Sequence, residues 1–381
     1  MLKMIKIIKT TYIKKDTVSF IIDNDSKMSW LAEFDSSNFE RFFVVIDEKV
    51  KQLWGKQIIE KLKKHKKQLF IFEVKATENS KSLQFYPKLI KFLENNGCNL
   101  SDLVIAVGGG IIIDLVSFSC STYMRALPFY AVPTTLIGQI DASTAGKTCL
   151  NTDNNKNLLG TFYYPLKVYN NMNFLKTNSQ YHLRQGYSEI FKYGLLGSSE
   201  LIELMSSYLK NPSEDLLIKI MQLAIGIRIR IRKINPLASN LGHTFGHAIE
   251  KISNFEILHG DAISSGTVMS LYFAEKIGII GRKNVESIIN KMKKLKLNIY
   301  VDKVLDINKL VDLMMRDKKS SSTWLNLVLI AGISKPYSNR GFPFYRTSKQ
   351  TIKLFLKDFM KKYPYKIRNC ASYIRKNELM Y

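Results

Sequence analysis

The stretch Asn240-Leu-Gly-His-Thr-Phe-Gly-His-Ala-Ile-Glu250, followed by Leu258-His-Gly-Asp261, decides how the chain is read. The protein has five histidines, and His243, His247 and His259 fall within seventeen residues. His243 and His247 are four apart, so on a helix both rings leave one face, a turn apart. Imidazole binds divalent cations and titrates near neutrality. A helix with two such rings, and a third beyond a loop, has the donors to hold a metal and keep one imidazole for proton transfer. The competing reading has Asn240 capping the helix and the histidines satisfied in core or surface. Three in a His-poor chain favour the metal. The spacing is not that of a zinc protease, because Thr244 stands where the Glu of His-Glu-x-x-His belongs.

Working outward, 381 residues are long for one domain and comfortable for two. A hydrophobic content of 46% excludes a disordered chain. The formal charge, 57 − 32 = +25, first suggests nucleic acid or an anionic membrane. The lysines are scattered, however, and no nucleic-acid module is present, so no nucleic-acid partner is expected. A site for a small phosphorylated carboxylate would gain from part of that charge. Cys98, Cys120, Cys149 and Cys370 form no Cys-x-x-Cys pair, which argues against a disulfide framework or thiolate metal site and fits a reducing cytosol. The most apolar run, 103–119, is broken by Gly108-Gly-Gly110 and Asp114, so no membrane span is expected. The expectation is a soluble cytoplasmic protein.

Residues 1–157 alternate short β-rich runs with longer amphipathic ones, as βαβ units do. Strands are expected at 41–47, 68–74, 103–107 and 129–132, with a helix over 48–64. The third strand runs straight into Gly108-Gly109-Gly110, where glycines let backbone approach a pyrophosphate at a helix N-terminus. The Gly-x-Gly-x-x-Gly fingerprint is not met, and a tight turn would read the same way. Asp47, ending an earlier strand, could take ribose hydroxyls. Lys147, beside Gly146 and Thr148, can aim its ammonium at a phosphate or carboxylate, although 141–160 could equally be a solvated loop at a domain junction. From about 160, helical periods dominate: 183–196 with Glu189 and Lys192 on one face, then 199–209, 214–234, the His-bearing helix, 261–277, 283–295 and 307–315. A late strand is expected within 324–330 and a terminal helix over 350–362. The fold class is an α/β, Rossmann-like dinucleotide-binding domain (1–157) plus a mainly α-helical metal- and substrate-binding domain (158–381).

Several segments carry a resemblance in combination: Gly109-Gly110-x-x-x-Asp114, Thr122-Tyr-Met-Arg125, Pro133-Thr-Thr-Leu136, Gln139-x-Asp141, Gly146-Lys147-Thr148, Lys156-Asn157, Glu189-Ile-Phe-Lys192-Tyr-Gly194, and the two His segments. Together, from about residue 47 to 330, the chain resembles the 3-dehydroquinate synthase family within the sugar phosphate cyclases. The resemblance implies NAD in the N-terminal domain, a Zn2+ or Co2+ ion in the helical domain, and a sugar-acid phosphate between them. It implies metal ligation by Glu189, His243 and His259, three protein donors leaving room for substrate oxygens. Implied cofactor contacts are Asp47, Glu78, Lys81, Gly109, Gly110, Asp114, Thr134, Thr135 and Thr177, with Asp141, Lys147 and Lys156 near both cofactor and substrate. Implied catalytic and substrate-binding residues are Arg125, Asp141, Lys147, Lys156, Asn157, Lys192, Asn240, His247 and Lys319. The implied reaction is NAD-dependent transient oxidation, phosphate elimination, reduction, ring opening and intramolecular aldol closure, in a homodimer. The alternatives are another sugar phosphate cyclase or a catalytically impaired descendant.

Departures stand beside the resemblance. The stretch before Asn240 is shorter than usual, and Pro236 sits where the family has an arginine four residues ahead of the Asn; Arg228 or Arg230 would have to stand in for a family lysine upstream. Ile113 and Ala145 replace family glycines.

Overall fold

The computed structural model describes residues 17–362 except 145, 154–155, 236, 301–305, 317–322 and 340. Ala145, Pro236 and Lys319 therefore lie outside the described residues. The first half runs β1 (Ser19–Asp23), α1 (Trp30–Glu33), β2 (Arg41–Asp47), α2 (Glu48–Lys63), β3 (Gln68–Val74), α3 (Tyr86–Asn95), β4 (Leu103–Gly108), α4 (Gly110–Thr122), β5 (Phe129–Pro133), α5 (Leu136–Ile140) and β6 (Lys167–Asn171). The strands form one parallel sheet in the order β1-β6-β5-β4-β2-β3. Its central strands are buried on both faces, as a sheet covered by crossover helices requires. Alternation sorts them into two cores. Phe43, Val45, Val104 and Ala106 face one, and Phe42, Val44, Ile46, Ile105 and Val107 face the other.

β1 and β6 lie outside the sequence expectation; they pair at one edge from Ser19↔Lys167 to Asp23↔Asn171. β6 lies past residue 157, where the sequence pattern divides the chain. Its Val-Tyr-Asn-Asn core mixes strand-forming with strand-averse residues, so local propensity hides it. Tertiary bonds settle it: the Asn171 amide donates to the Asp23 carboxylate and the Asp25 carbonyl, and its Oδ1 accepts from Asn173 N at 2.8 Å.

The second half is α6 (Gln180–Gly197), α7 (Ser199–Lys210), α8 (Glu214–Ile234), α9 (His243–Ile252), α10 (His259–Lys276), α11 (Arg282–Lys294), α12 (Ile307–Met315), β7 (Trp324–Leu327), β8 (Ile330–Gly332), β9 (Lys335–Pro336), β10 (Tyr345–Ser348) and α13 (Lys349–Lys362). The expected strand within 324–330 is two: β7 pairs with β10 and β8 with β9, both antiparallel. A third apolar core fills this half.

Three helices of this half, α6, α9 and α10, approach one another closely. Gly242, the N-cap of α9, has φ 76°, a left-handed conformation natural to glycine. The capping reading of Asn240 is thereby corrected: its carbonyl accepts from His243 N, but no side chain caps α9. A Cβ on Gly266 of α10 would lie 2.1 Å from Gly242 O and 2.7 Å from Gly246 N. On Gly260 it would lie 2.5 Å from Gln185 Cα of α6. Helix backbones thus nearly touch where Glu189, His243 and His259 are carried. Gly266→Ala should force α9 and α10 apart at a cost of about 1–3 kcal/mol. Chemical denaturation checks this, and an unchanged unfolding midpoint would contradict the contact.

Candidate active site

Three helices meet at Glu189, a fully buried carboxylate in the middle of α6. His243 opens α9 and His259 opens α10. His243 Nε2 lies 3.9 Å and His259 Nε2 3.6 Å from Glu189 Oε1. One ligand atom from each of the three residues falls within 4.8 Å of the others, close enough to share one cation. Glu189 Oε1 is buried and accepts no hydrogen bond, which is costly for a carboxylate oxygen unless something positive completes it. Its Oε2 is paired with the Lys192 ammonium, the i,i+3 partner expected from sequence.

Glu189 and His243 carry the protonation states that a donor set needs. Burial, then Lys192 and the neighbouring histidines, push the His243 pKa well below its ordinary value, so this ring is neutral. Its Nδ1 pairs with the Leu241 carbonyl at 3.1 Å; a neutral ring donating there presents a lone pair on Nε2 toward Glu189. Burial alone would lower His259, but the Glu250 and Glu189 carboxylates override it and hold its pKa up to about 10. Its Nδ1 faces Glu250 Oε2 at 3.3 Å, the carboxylate-behind-histidine arrangement that orients metal ligands. Burial would raise the Glu189 pKa, yet Lys192 and His259 bring it below the usual value and keep it ionised.

Other expected residues gather around this centre. The His247 ring lies 5.1 Å from that of His243 and 5.9 Å from that of His259, and His247, Glu250 and His259 form a second compact donor set. Lys156 Nζ lies 3.0 Å from Glu250 and 2.9 Å from Glu78. Asp141 pairs with Arg228 at 2.7 Å and accepts from the Tyr193 hydroxyl; Arg228 outweighs burial and holds its carboxyl well below the usual range. Lys192 Nζ sits 4.5 Å above the Tyr193 ring. Asn240 Nδ2 and Asn157 Oδ1 are buried without partners, and Asn157 adopts φ 55°. Lys147 lies in a bridge opposite Phe162. Arg125 is exposed after α4 at φ 67°; no contact among the described residues joins it to the cluster.

The expected cofactor residues line the carboxyl edge of the sheet, where open α/β folds receive ligands. Asp47 ends β2 but caps α2, accepting from Lys49 N at 3.0 Å. Gly109 caps α4, and Gly110 starts it. Thr134 N bonds to Gly108 O, and Thr135 Oγ1 accepts from Gly138 N at 3.2 Å. The Lys81 ammonium pairs with Asp114 beneath that turn. Thr177 is exposed, accepts from Trp54 Nε1 at 3.1 Å and donates to Phe174 O. Glu250, Tyr193 and Trp54 were not singled out from sequence. For Glu250 the signal was present, three residues past His247 and so on the same helical face. Of the two arginines weighed as stand-ins, Arg228 is the one buried against Asp141; Arg230 is exposed.

The chain is similar to known proteins in sequence and in fold. The chain fits the model of the 3-dehydroquinate synthase N-terminal region over residues 71–185 and of the C-terminal region over 186–320. It is 33% identical over 304 residues to 3-dehydroquinate synthase of Aliivibrio fischeri, covering 77% of this chain and 84% of that one. The fold matches ValA, a 2-epi-5-epi-valiolone synthase from Streptomyces hygroscopicus solved with NAD+ and Zn2+ bound, at TM-score 0.83 and 23% identity over 93% of this chain and all (100%) of that one. It also matches 2-deoxy-scyllo-inosose synthase, solved with carbaglucose-6-phosphate, NAD+ and Co2+, at TM-score 0.77 and 19% identity over 89% of this chain and 96% of that one. At these identities the two structural likenesses speak to fold, whereas the matched regions and the sequence identity speak to descent: the chain belongs to the 3-dehydroquinate synthase family.

Proposed function

We propose that this chain is a 3-dehydroquinate synthase, converting 3-deoxy-D-arabino-heptulosonate 7-phosphate to 3-dehydroquinate and inorganic phosphate as a carbon–oxygen lyase of the shikimate pathway. The observation that carries the proposal, beside family membership, is the convergence of Glu189, His243 and His259 with an acceptor oxygen left over. The donor set of two imidazoles and one carboxylate fits Zn2+ or Co2+. Asp47, Gly109, Gly110, Thr134, Thr135 and Thr177, with Glu78, Lys81 and Asp114, would hold NAD. When bound, NAD supplies a reversible oxidation of one substrate hydroxyl, and the divalent cation supplies positive charge beside that oxygen.

The protein's own groups account for the rest. Lys156, Lys192 and Arg228 bring positive charge to the donor set and its neighbouring acids, suited to a carboxylate and a phosphate. Arg228 is ordered by Asp141, and Lys192 by Glu189, so both are positioned before substrate arrives. Asn157 Oδ1 and Asn240 Nδ2, buried and unpaired, are an acceptor and a donor available to substrate hydroxyls. His247, partly exposed beside the donor set, can carry a proton at an imidazole nitrogen. Glu250 fixes the His259 ring from behind. The proposal includes a homodimer and a cytosolic setting. In support of the latter, no described helix is long and apolar enough to cross a membrane.

Purified chain supplied with NAD and Zn2+ or Co2+ should release inorganic phosphate from the heptulosonate phosphate. Chelation should abolish release and added metal restore it; loaded protein that releases none refutes the proposal. Glu250→Gln keeps the size of the side chain but removes the charge behind His259. Metal affinity should fall about 10- to 100-fold, measured by competition with a chromogenic chelator, and an unchanged affinity would remove Glu250 from the site.

A further inference from the structure

Arg232 lies four residues past Arg228 on α8, so the two side chains share a helix face about 6 Å apart along the axis. Arg228 is compensated by Asp141. Arg232 is not. Its guanidinium carbon sits 5.2 Å from the Phe162 ring centre and 5.1 Å from that of Tyr164. Its Nη1 is buried without a hydrogen-bond partner, and it forms no ion pair with a carboxylate among the described residues. Tyr164 in turn lies against the backbone of Gly146, where a Cβ would come within 2.3 Å of its ring, so the Arg232 platform adjoins Lys147. Burial, then the like charge of Arg228, depresses the Arg232 pKa despite Tyr164; a guanidinium nevertheless stays protonated, and the cost of sheltering it remains in the fold.

A sheltered planar cation with a spare N–H, one helical turn from Arg228 and on a ring that packs against the backbone next to Lys147, has the chemistry of an oxyanion clamp. The family's arginine ahead of Asn240 is Pro236 here, and Arg232 lies four residues upstream of it. We infer that Arg232 binds an oxyanion of the substrate, its carboxylate or its phosphate, and so replaces the arginine this chain lacks. The inference rests on the cyclase reading for the identity of the substrate.

The test is Arg232→Gln and Arg232→Lys in the full chain loaded with NAD and metal. In Arg232→Gln the KM for the heptulosonate phosphate should rise about 10- to 100-fold with kcat changed less than about threefold, the scale of one charge-assisted contact. Lysine should restore part of the loss, since it keeps the charge but lacks the planar fork. Competitive inhibition by inorganic phosphate should weaken if Arg232 holds the phosphate, and inhibition by quinate, a phosphate-free carboxylate, if it holds the carboxylate. Either supports the inference. An arginine that merely packs on Phe162 and Tyr164 would lower the melting temperature on replacement and leave KM and both inhibition constants unchanged, and that result overturns it. Should the unaltered chain fail to turn over the heptulosonate phosphate, the cyclase reading falls by itself. Calorimetric binding of phosphate and quinate to the unaltered chain and to Arg232→Gln then decides separately, and equal affinities for both ligands reject the clamp.

Discussion

One buried carboxylate governs the centre of this molecule. Glu189 sits in the middle of α6 with no access to solvent, and an ion there is tolerable only if its surroundings supply opposite charge. Lys192 answers one oxygen, and the imidazoles of α9 and α10 converge on the other. Lys192 lies on α6 itself, whereas the two imidazoles come from separate stretches of chain, so the donor set exists only when all three helices are docked. The glycines at the crossing of α9 and α10 are what permit the docking distance. The same packing that shelters the ion therefore creates the donor set.

Around that centre the acids and bases occur in compensated chains rather than as isolated ions. Glu250 lies between His259 and Lys156, Asp141 between Arg228 and Tyr193, and Asp114 against Lys81. Such networks bring little net stability, because desolvation consumes most of the Coulomb gain. What they provide is order, with each cation held in place before a ligand arrives. Arg232 departs from the pattern as a sheltered cation with no carboxylate partner among the described residues.

How much of this was legible in the sequence depends on the kind of signal. Strands β2, β3, β4 and β5 ran as largely apolar segments bounded by polar helix starts, and the structure places them within a residue of their expected limits. α8 and α12 matched at both ends because Ser213 and Asp306 cap them and their apolar periods are unbroken. Strands β1 and β6 were hidden, since their stability comes from Asp23, Asn171 and Asn173 bonding across about 150 residues of sequence, which no local pattern records. At the site, His243 and His259 were legible from clustering, and Glu189 through the family's motif. The tie between His259 and Glu250 required a three-dimensional arrangement, because two acids and two imidazoles on neighbouring turns allow several pairings.

Lys156 has a consequence of its own. Its ammonium touches Glu78, beside the carboxyl edge of the sheet, and Glu250, behind His259. Whatever draws that ammonium toward one acid would weaken its hold on the other, since Glu78 and Glu250 share one counterion. Linkage of this kind is reciprocal. A single side chain thus joins the two halves of the molecule through a shared charge, with no hinge having to move.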